Sequence, residues 1–264
     1  PDVVSPVDLQ HGLRTRVIGK EIIHLAKTAS TNTLAMDKAH QGAAEGTVVI
    51  AETQTGGKGR LGRQWASPRG NLYLSVILRP AVPVHKAPLL TLMGAVAVAT
   101  AVRTSLEVPA GIKWPNDVLI KGKKVAGLLT EMSAEPDRIR HIVLGIGVNV
   151  NADVSELPPD VRTTATSLAA AAGKRVDRTM FARALLFELE RWYQRFLKKD
   201  AGVLTAWKEL NVTLGNRVSV AGSGTSREGL ANDVDAEGRL VLRLDNGAYQ
   251  LVSAGDVTIV KRKP

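Results

Sequence analysis

Cysteine is absent from all 264 residues, which removes disulfides, thiolate nucleophiles and cysteine-built zinc sites at once. Aromatic residues are only 4% of the chain, too few for the stacking platforms that read single-stranded nucleic acid. The longest mostly apolar stretch, Leu89 to Val102, reads as too short to cross a bilayer and carries Thr91 and Thr100. No basic-then-apolar signal segment opens the chain, which points to the cytoplasm. Its first residue is Pro1 rather than methionine, so a removed upstream segment stays open. The pattern G-x-x-x-x-G-K-[ST] is missing, as are the H-R-D and D-F-G signatures of kinases.

What the chain does have is concentrated in residues 46–63, GTVVIAETQTGGKGRLGR. The β-branched run from Thr47 to Ala51 predicts a buried strand that empties into a loop of glycine and positive charge. Gly56, Gly57, Gly59 and Gly62 expose backbone N–H groups, while Lys58, Arg60 and Arg63 bring cations. Bare amides and guanidinium forks both favour phosphate or carboxylate oxygens. Gly57 to Gly62 also matches G-x-G-x-x-G, but that fingerprint needs a helix behind it to hold pyrophosphate. Here the turn-forming segment Gln64 to Asn71 follows, and then the strand-like run Leu72 to Leu78, so a dinucleotide fold is excluded.

The formal net charge is +10. Basic residues cluster at 58–63, at 121–124 and at Lys261, Arg262 and Lys263, with no single long run. From Leu210 onward seven basic residues face six acidic ones, so almost all the excess lies in the first part of the chain. That distribution suits phosphate-bearing substrates or an acidic partner as well as it suits nucleic acid.

Along the chain, Glu21 to Leu25 reads as a strand, Ser30-Thr31-Asn32 as an N-cap cluster and Leu34 to His40 as a helix. Strands at 47–53 and 72–78 flank the glycine loop, and Ala87 to Leu106 reads as one long buried helix. Val118 to Ile120 and Val125 to Glu131 form a hairpin around Lys121-Gly122-Lys123; His141 to Val150 is a strand and Thr179 to Phe196 an amphipathic helix. Residues 1–210 thus read as α+β, a mixed sheet covered by helices. Residues 211–264 hold five short strand patterns, a small all-β barrel.

Two further segments carry polar groups at telling positions. In Ile112 to Asp117 a rigid Trp-Pro step separates Lys113 from Asn116 and Asp117, which suits aiming all three at one ligand. In Val143 to Asn151, alternation puts Gly145, Gly147, Asn149 and Asn151 on one face, where a ligand can approach the backbone closely.

Together these segments resemble the biotin protein ligase family, over nearly the whole chain. The matching blocks, in order, are Ser30-Thr31-Asn32, residues 51–65, Lys113 to Asp117, Lys124 to Gly127, and Gly145 to Asn149. Lys58 departs from the arginine many members carry, keeping the charge but losing the bidentate fork. Only about twenty residues precede the ligase core, so the resemblance implies the monofunctional kind without a DNA-binding helix-turn-helix. It implies a class II synthetase-like catalytic domain with an SH3-like C-terminal barrel. The implied reaction joins biotin's carboxylate to the α-phosphorus of ATP with Mg²⁺, then passes biotin to one lysine of a biotin-accepting carboxylase domain. Acceptor domains in this family tend to be acidic.

Residue roles follow from the same resemblance. Ser30, Thr31, Asn32 and Gln54 are expected to read the ureido ring. Gly57, Lys58, Gly59, Arg60, Gly127 and Gly147 complete the biotin site, and Lys124 and Arg60 carry the central electrostatic work. Arg63, Trp65, Lys113, Asn116, Asp117 and Asn149 fall to ATP, with Asp117 and Asn149 as metal contacts. A lipoate–protein ligase is the alternative within the fold superfamily, disfavoured by the polar ring-reading set. A biotin-responsive DNA-binding repressor is the alternative from another class. Specific DNA and membrane partners are not expected, and a homodimer is left open.

Overall fold

A computed structural model describes residues 3–222 and 226–260; Pro1 and the basic cluster Lys261, Arg262 and Lys263 lie outside the described residues. In chain order, helix α1 (Pro6–His11) precedes strand β1 (Ile22–Leu25), helix α2 (Thr31–His40) and strand β2 (Val48–Ala51). Strand β3 (Leu72–Leu78) leads into the long helix α3 (Ala87–Leu106). Strands β4 (Gly111–Lys113), β5 (Asp117–Ile120), β6 (Lys123–Ala134) and β7 (Ile139–Val148) follow. Then come helices α4 (Pro159–Arg162), α5 (Leu168–Ala172), α6 (Arg178–Leu197) and α7 (Gly202–Leu210). The last strands are β8 (Arg217–Ala221), β9 (Ser226–Val234), β10 (Leu240–Arg243), β11 (Tyr249–Val252) and β12 (Asp256–Ile259).

Strands β1 to β7 form one mixed sheet in the order β1-β2-β3-β7-β6-β5-β4, parallel only between β1 and β2. Strands β2 and β3 read as nearly continuous apolar runs and are buried on both faces. Side chains alternate across a strand, so Val49, Ile77 and Val143 meet Ala35 and Ala39 of α2 on one face. Val48, Ile50, Leu74, Val76 and Leu144 join α3 and α6 in the main core on the other. Caps fix where the helices begin: the Ser30 hydroxyl accepts from the Thr33 amide, and the Asp177 carboxylate accepts from the Met180 amide.

Three features depart from the sequence expectation. The run Val84–Leu106 spans 23 residues and passes the length and composition test for crossing a membrane, unlike the shorter stretch read from the sequence. Its apolar surface is instead buried by the sheet, α6 and α7, so here it is the core helix of the domain. Strand β4 and the short helices α1, α4 and α5 go beyond the sequence expectation, as does α7, whose amphipathic pattern buries Val203 and Trp207. Strand β7 ends at Val148, so Asn149 and Asn151 lie beyond its ladder, and Asn151 does not continue its alternation.

The C-terminal strands form a separate antiparallel sheet in the order β11-β10-β9-β8-β12. It is tied to the first domain through buried Trp114, whose indole N–H donates to Gly238 O at 3.0 Å and whose amide donates to Thr213 Oγ1 at 2.8 Å. Lys208 pairs with Asp233 across the same boundary at 2.7 Å.

A buried ion pair joins the N-terminal segment, α6 and the sheet. The Arg178 guanidinium donates to Glu52 Oε2 and to Asn71 O, each at 2.7 Å, and the Val4 amide donates to Glu52 Oε1 at 3.0 Å. Burial by itself would raise the Glu52 pKa, but the hydrogen bonds from His24, Arg178 and Val4 outweigh it and hold the carboxyl below its ordinary value. Removing one partner of such a pair leaves an uncompensated buried charge, so Arg178→Met is expected to cost about 3–5 kcal/mol at neutral pH. A carboxyl held low when folded contributes stability above its unfolded pKa and loses it as pH falls through the folded value. Urea unfolding of parent and variant should therefore differ most at pH 7, with the gap narrowing below about pH 4.

Candidate active site

Two glycines set the floor of a cavity of about 1620 Å³. Gly145 and Gly147 sit on β7 opposite Leu129 and Gly127 of β6. A Cβ built on Gly145 would lie 1.9 Å from Asn32 Oδ1, and one on Gly147 would lie 2.6 Å from the Trp65 indole. Both side chains therefore rest directly on sheet backbone. The Trp65 indole nitrogen is buried there with no acceptor among the described residues.

One end of the cavity is neutral and rich in hydrogen-bonding groups. Gln54 Oε1 accepts from the Thr31 amide at 2.8 Å and from its hydroxyl at 3.2 Å, while Gln54 Nε2 donates to Ser67 Oγ at 2.9 Å. Asn32 donates through Nδ2 to Glu131 Oε2 at 2.8 Å and accepts at Oδ1 from Ser75 Oγ at 2.6 Å. Ser30, Thr31 and Asn32 are all buried at the start of α2, where the cap geometry fixes them. This end presents pre-oriented amide and hydroxyl groups with no net charge.

The other end is cationic. Lys124 Nζ lies 2.6 Å from Asp117 Oδ1, close in distance but poorly aligned as a hydrogen bond, and 5.2 Å from the Trp65 ring centre. Asp117 Oδ2 takes Lys113 Nζ at 3.2 Å, so one carboxylate serves two ammonium groups. The glycine loop folds back on itself, with Gly59 N donating to Arg63 O at 2.7 Å and Trp65 N to Gly57 O at 2.8 Å. Its Arg60–Gly62 turn holds Leu61 at φ 55°, a left-handed conformation. Arg60 Nη1 donates to Asn116 Oδ1 at 3.1 Å and to Gly255 O at 3.2 Å, and Arg63 pairs with Asp256. Burial pulls the Arg60 pKa below its ordinary value, partly offset by Asp256 and Asp117. A buried cation whose nearest partners are neutral oxygens favours an incoming anion.

Of the residues singled out from the sequence, Ser30, Thr31, Asn32, Gln54, Lys58, Gly59, Arg60, Arg63, Trp65, Lys113, Asn116, Asp117, Lys124, Gly127, Gly147 and Asn149 all line this cavity. Gly57 does not; it closes the loop behind Trp65, where a Cβ would lie 2.5 Å from Trp65 O. Asn151 is also elsewhere, clamping Val176 through Nδ2 and Oδ1 at 2.8 and 2.9 Å. Asn149 is buried, with Nδ2 donating to Thr166 O at 3.1 Å and Oδ1 facing Asn71 Nδ2 at 3.5 Å. Among the described residues no three histidine or carboxylate side chains cluster. Asp117 and Asn149 supply two oxygens, a donor set that fits a hard cation carried in on phosphates better than one caged by protein.

Several contributors carried too little local signal to be read. Ser75 is visible as the one serine in the apolar run Leu72 to Leu78, and Glu131 as an acid at the end of a strand pattern. Ser67, Asn71, Thr166, Gly255 and Asp256 reach the site only through the fold. The segment 157–165 also lines the cavity, with Lys124 bridging Ala165.

With the geometry in hand, comparison with known proteins is direct. The pattern of the biotin/lipoate A/B protein ligase family matches residues 25–149, and that of the biotin protein ligase C-terminal domain matches residues 213–260. The biotin–[acetyl-CoA-carboxylase] ligase of Mycobacterium tuberculosis is 38% identical over 96% of this chain and 95% of its own length. The bifunctional ligase/repressor BirA of Bacillus subtilis is 37% identical over 96% of this chain and 79% of its own. Among solved structures, a biotin protein ligase from Aquifex aeolicus in complex with biotin and ATP superposes with a TM-score of 0.78. It is 28% identical, covering 92% of this chain and 99% of that one. Near-complete coverage of a ligase at this identity, with both domains matched in order, means that the chain belongs to the biotin protein ligase family.

Proposed function

We propose that this chain activates biotin with ATP to biotinyl-5′-AMP and transfers the biotinyl group to a lysine of a biotin-accepting carboxylase domain. The observation that carries this reading is the two-ended cavity: a neutral hydrogen-bonding end at Ser30, Thr31, Asn32 and Gln54, continuous with a cationic end at Lys124, Arg60 and Arg63. At about 1620 Å³ it exceeds the roughly 300–1,000 Å³ of a single small-molecule site, as two substrates meeting end to end require. The cytoplasm, where ATP and acceptor domains are found together, is the compartment this activity needs.

In the first step a carboxylate oxygen attacks the α-phosphorus and pyrophosphate leaves; in the second, the lysine amine attacks the acyl carbon and AMP leaves. The first step forces two anions together, so its cost is electrostatic. A ureido ring offers one carbonyl and two N–H groups, which the neutral end matches. Lys124, in the cationic end, offsets charge on both reacting groups, and Arg60 closes over them from the loop. Arg63, Lys113, Asn116 and Trp65 take the nucleotide. Asp117 and Asn149 would hold a magnesium ion bound with the nucleotide, which lowers the charge of its phosphates when present.

The direct test is biotin-dependent exchange of labelled pyrophosphate into ATP, with lipoate as the comparison. Exchange with biotin and none with lipoate is expected; the reverse would assign the chain to the lipoate side of the family. Lys124→Ala should reduce exchange about a hundred- to thousand-fold, the scale of one preorganised electrostatic contact, with the thermal unfolding midpoint unchanged. Activity within threefold of the parent would remove Lys124 from the central role.

The glycine loop is held by partly exposed pairs, Lys58–Glu131 at 3.2 Å and Arg63–Asp256. Such pairs are worth about 0–1 kcal/mol each, enough to place the loop without locking it. Trypsin is therefore expected to cut after Lys58, Arg60 or Arg63 in the free protein and to be blocked by biotinyl-AMP. Equal cleavage rates in both states would show that the loop does not close on ligand.

Positive charge outside the cavity suits an acidic acceptor domain. Transfer of biotin to the acceptor should slow as salt rises, while adenylate formation at saturating substrate changes much less. Parallel salt curves for the two half-reactions would refute this division.

A further inference from the structure

Glu131 has been given no role of its own so far, yet it touches two pieces of the machinery. It stands on β6 opposite Val143, two residues beyond the Leu129–Gly145 pair, just outside the residues that line the cavity. One carboxylate oxygen accepts from Asn32 Nδ2 at 2.8 Å, and the other pairs with Lys58 Nζ at 3.2 Å. A single side chain thus joins the start of α2 to the glycine loop across a separation of 73 residues on one limb and 99 on the other.

The effect on Asn32 is specific. A primary amide has two hydrogens and an oxygen with two lone pairs. Asn32 Nδ2 donates to Leu129 O at 3.3 Å as well as to Glu131, so both hydrogens are already engaged by β6. Oδ1 takes the Ser75 hydroxyl, and the absence of a Cβ at Gly145 gives it room. What Asn32 has left for the cavity is one lone pair. Without Glu131 one of those hydrogens loses its partner, and the amide is free to rotate and offer a donor in the same place.

We infer that Glu131 is a positioning residue for biotin recognition: it fixes Asn32 as a hydrogen-bond acceptor toward the cavity and anchors the glycine loop through Lys58. This rests on the ligase reading, and it names a residue that acts through two others without touching substrate. Its signature is a split. Biotin affinity depends on Glu131, while the rate of adenylation at saturation and the KM for ATP do not.

Two variants separate the limbs. Glu131→Gln keeps an oxygen for Asn32 but loses the ion pair; a partly exposed pair of this kind predicts a Kd and KM for biotin about two- to fivefold higher. Glu131→Leu loses both limbs and should raise them about tenfold or more, the scale of a hydrogen bond to a charged group. Biotin affinity is measured by calorimetry, KM and kcat by pyrophosphate exchange, and the release of biotinyl-AMP by stopped flow, where both variants should lose the intermediate faster than the parent. If the leucine variant does not fold, the glutamine variant still carries the test. Unchanged biotin affinity in a folded variant, or a parallel fall in kcat with a rise in the KM for ATP, would overturn the role. A parent chain that binds biotin without supporting exchange would fail the ligase reading alone, because the affinity comparison still decides Glu131.

Discussion

The closeness of two side chains to bare backbone governs the site. Asn32 and Trp65 occupy the space that side chains at Gly145 and Gly147 would otherwise fill, and no rotamer relieves a 1.9 Å overlap with a committed amide. Because the β6–β7 register puts Gly127 opposite Gly147, the indole lies over a patch with no side chain on either strand. That patch gives a flat floor along which a long ligand can run from the neutral end to the cationic end. The central strands can be this bare only because α3 and α6 fill the opposite face and hold the sheet rigid.

On that floor the cations are arranged in a graded way. Lys124 and Lys113 share Asp117, Lys58 has Glu131, and Arg63 has Asp256, so each is at least partly neutralised. Arg60 has neutral oxygens from Asn116 and Gly255 as its nearest partners and sits with its charge partly desolvated. Burying a charge without a close counter-ion is unfavourable, and an anion entering the cavity relieves it. The carboxylates keep the free protein tolerable, and they are also the groups that substrates must compete with.

Much of this was legible in the sequence, for identifiable reasons. The helix Ala87 to Leu106 and the strand Leu72 to Leu78 were read to the residue, because long apolar runs bounded by turn formers leave little freedom. The glycine loop was read from its chemistry: its cations Lys58, Arg60 and Arg63 all line the cavity with Gly59, whereas Gly56, Gly57 and Gly62 serve the turn. Asn149 and Asn151 show the limit. Period-two alternation put both on the ligand face, but the strand stops at Val148, so one faces the cavity and the other clamps Val176. Alternation holds only while the ladder lasts. Ser75 and Glu131 carried a faint signal as polar residues in apolar patterns. Asp256 carried none, since its partner Arg63 is 193 positions away and only the docking of the second sheet brings them together.

That docking changes how the C-terminal sheet is understood. A passive cap would touch the first domain through apolar surface alone, whereas here the Gly255–Asp256 step reaches the two arginines of the glycine loop. The sheet is located by Trp114, which lies in the same Lys113 to Asp117 turn that supplies Asn116 and Asp117 to the cavity. One turn therefore aims two polar groups at the cationic end of the cavity and anchors the neighbouring domain, and that domain in turn holds the glycine loop. Coupling of this kind needs no moving wire; it follows from a rigid turn, one ion pair and one hydrogen bond, weak enough to exchange for an anion.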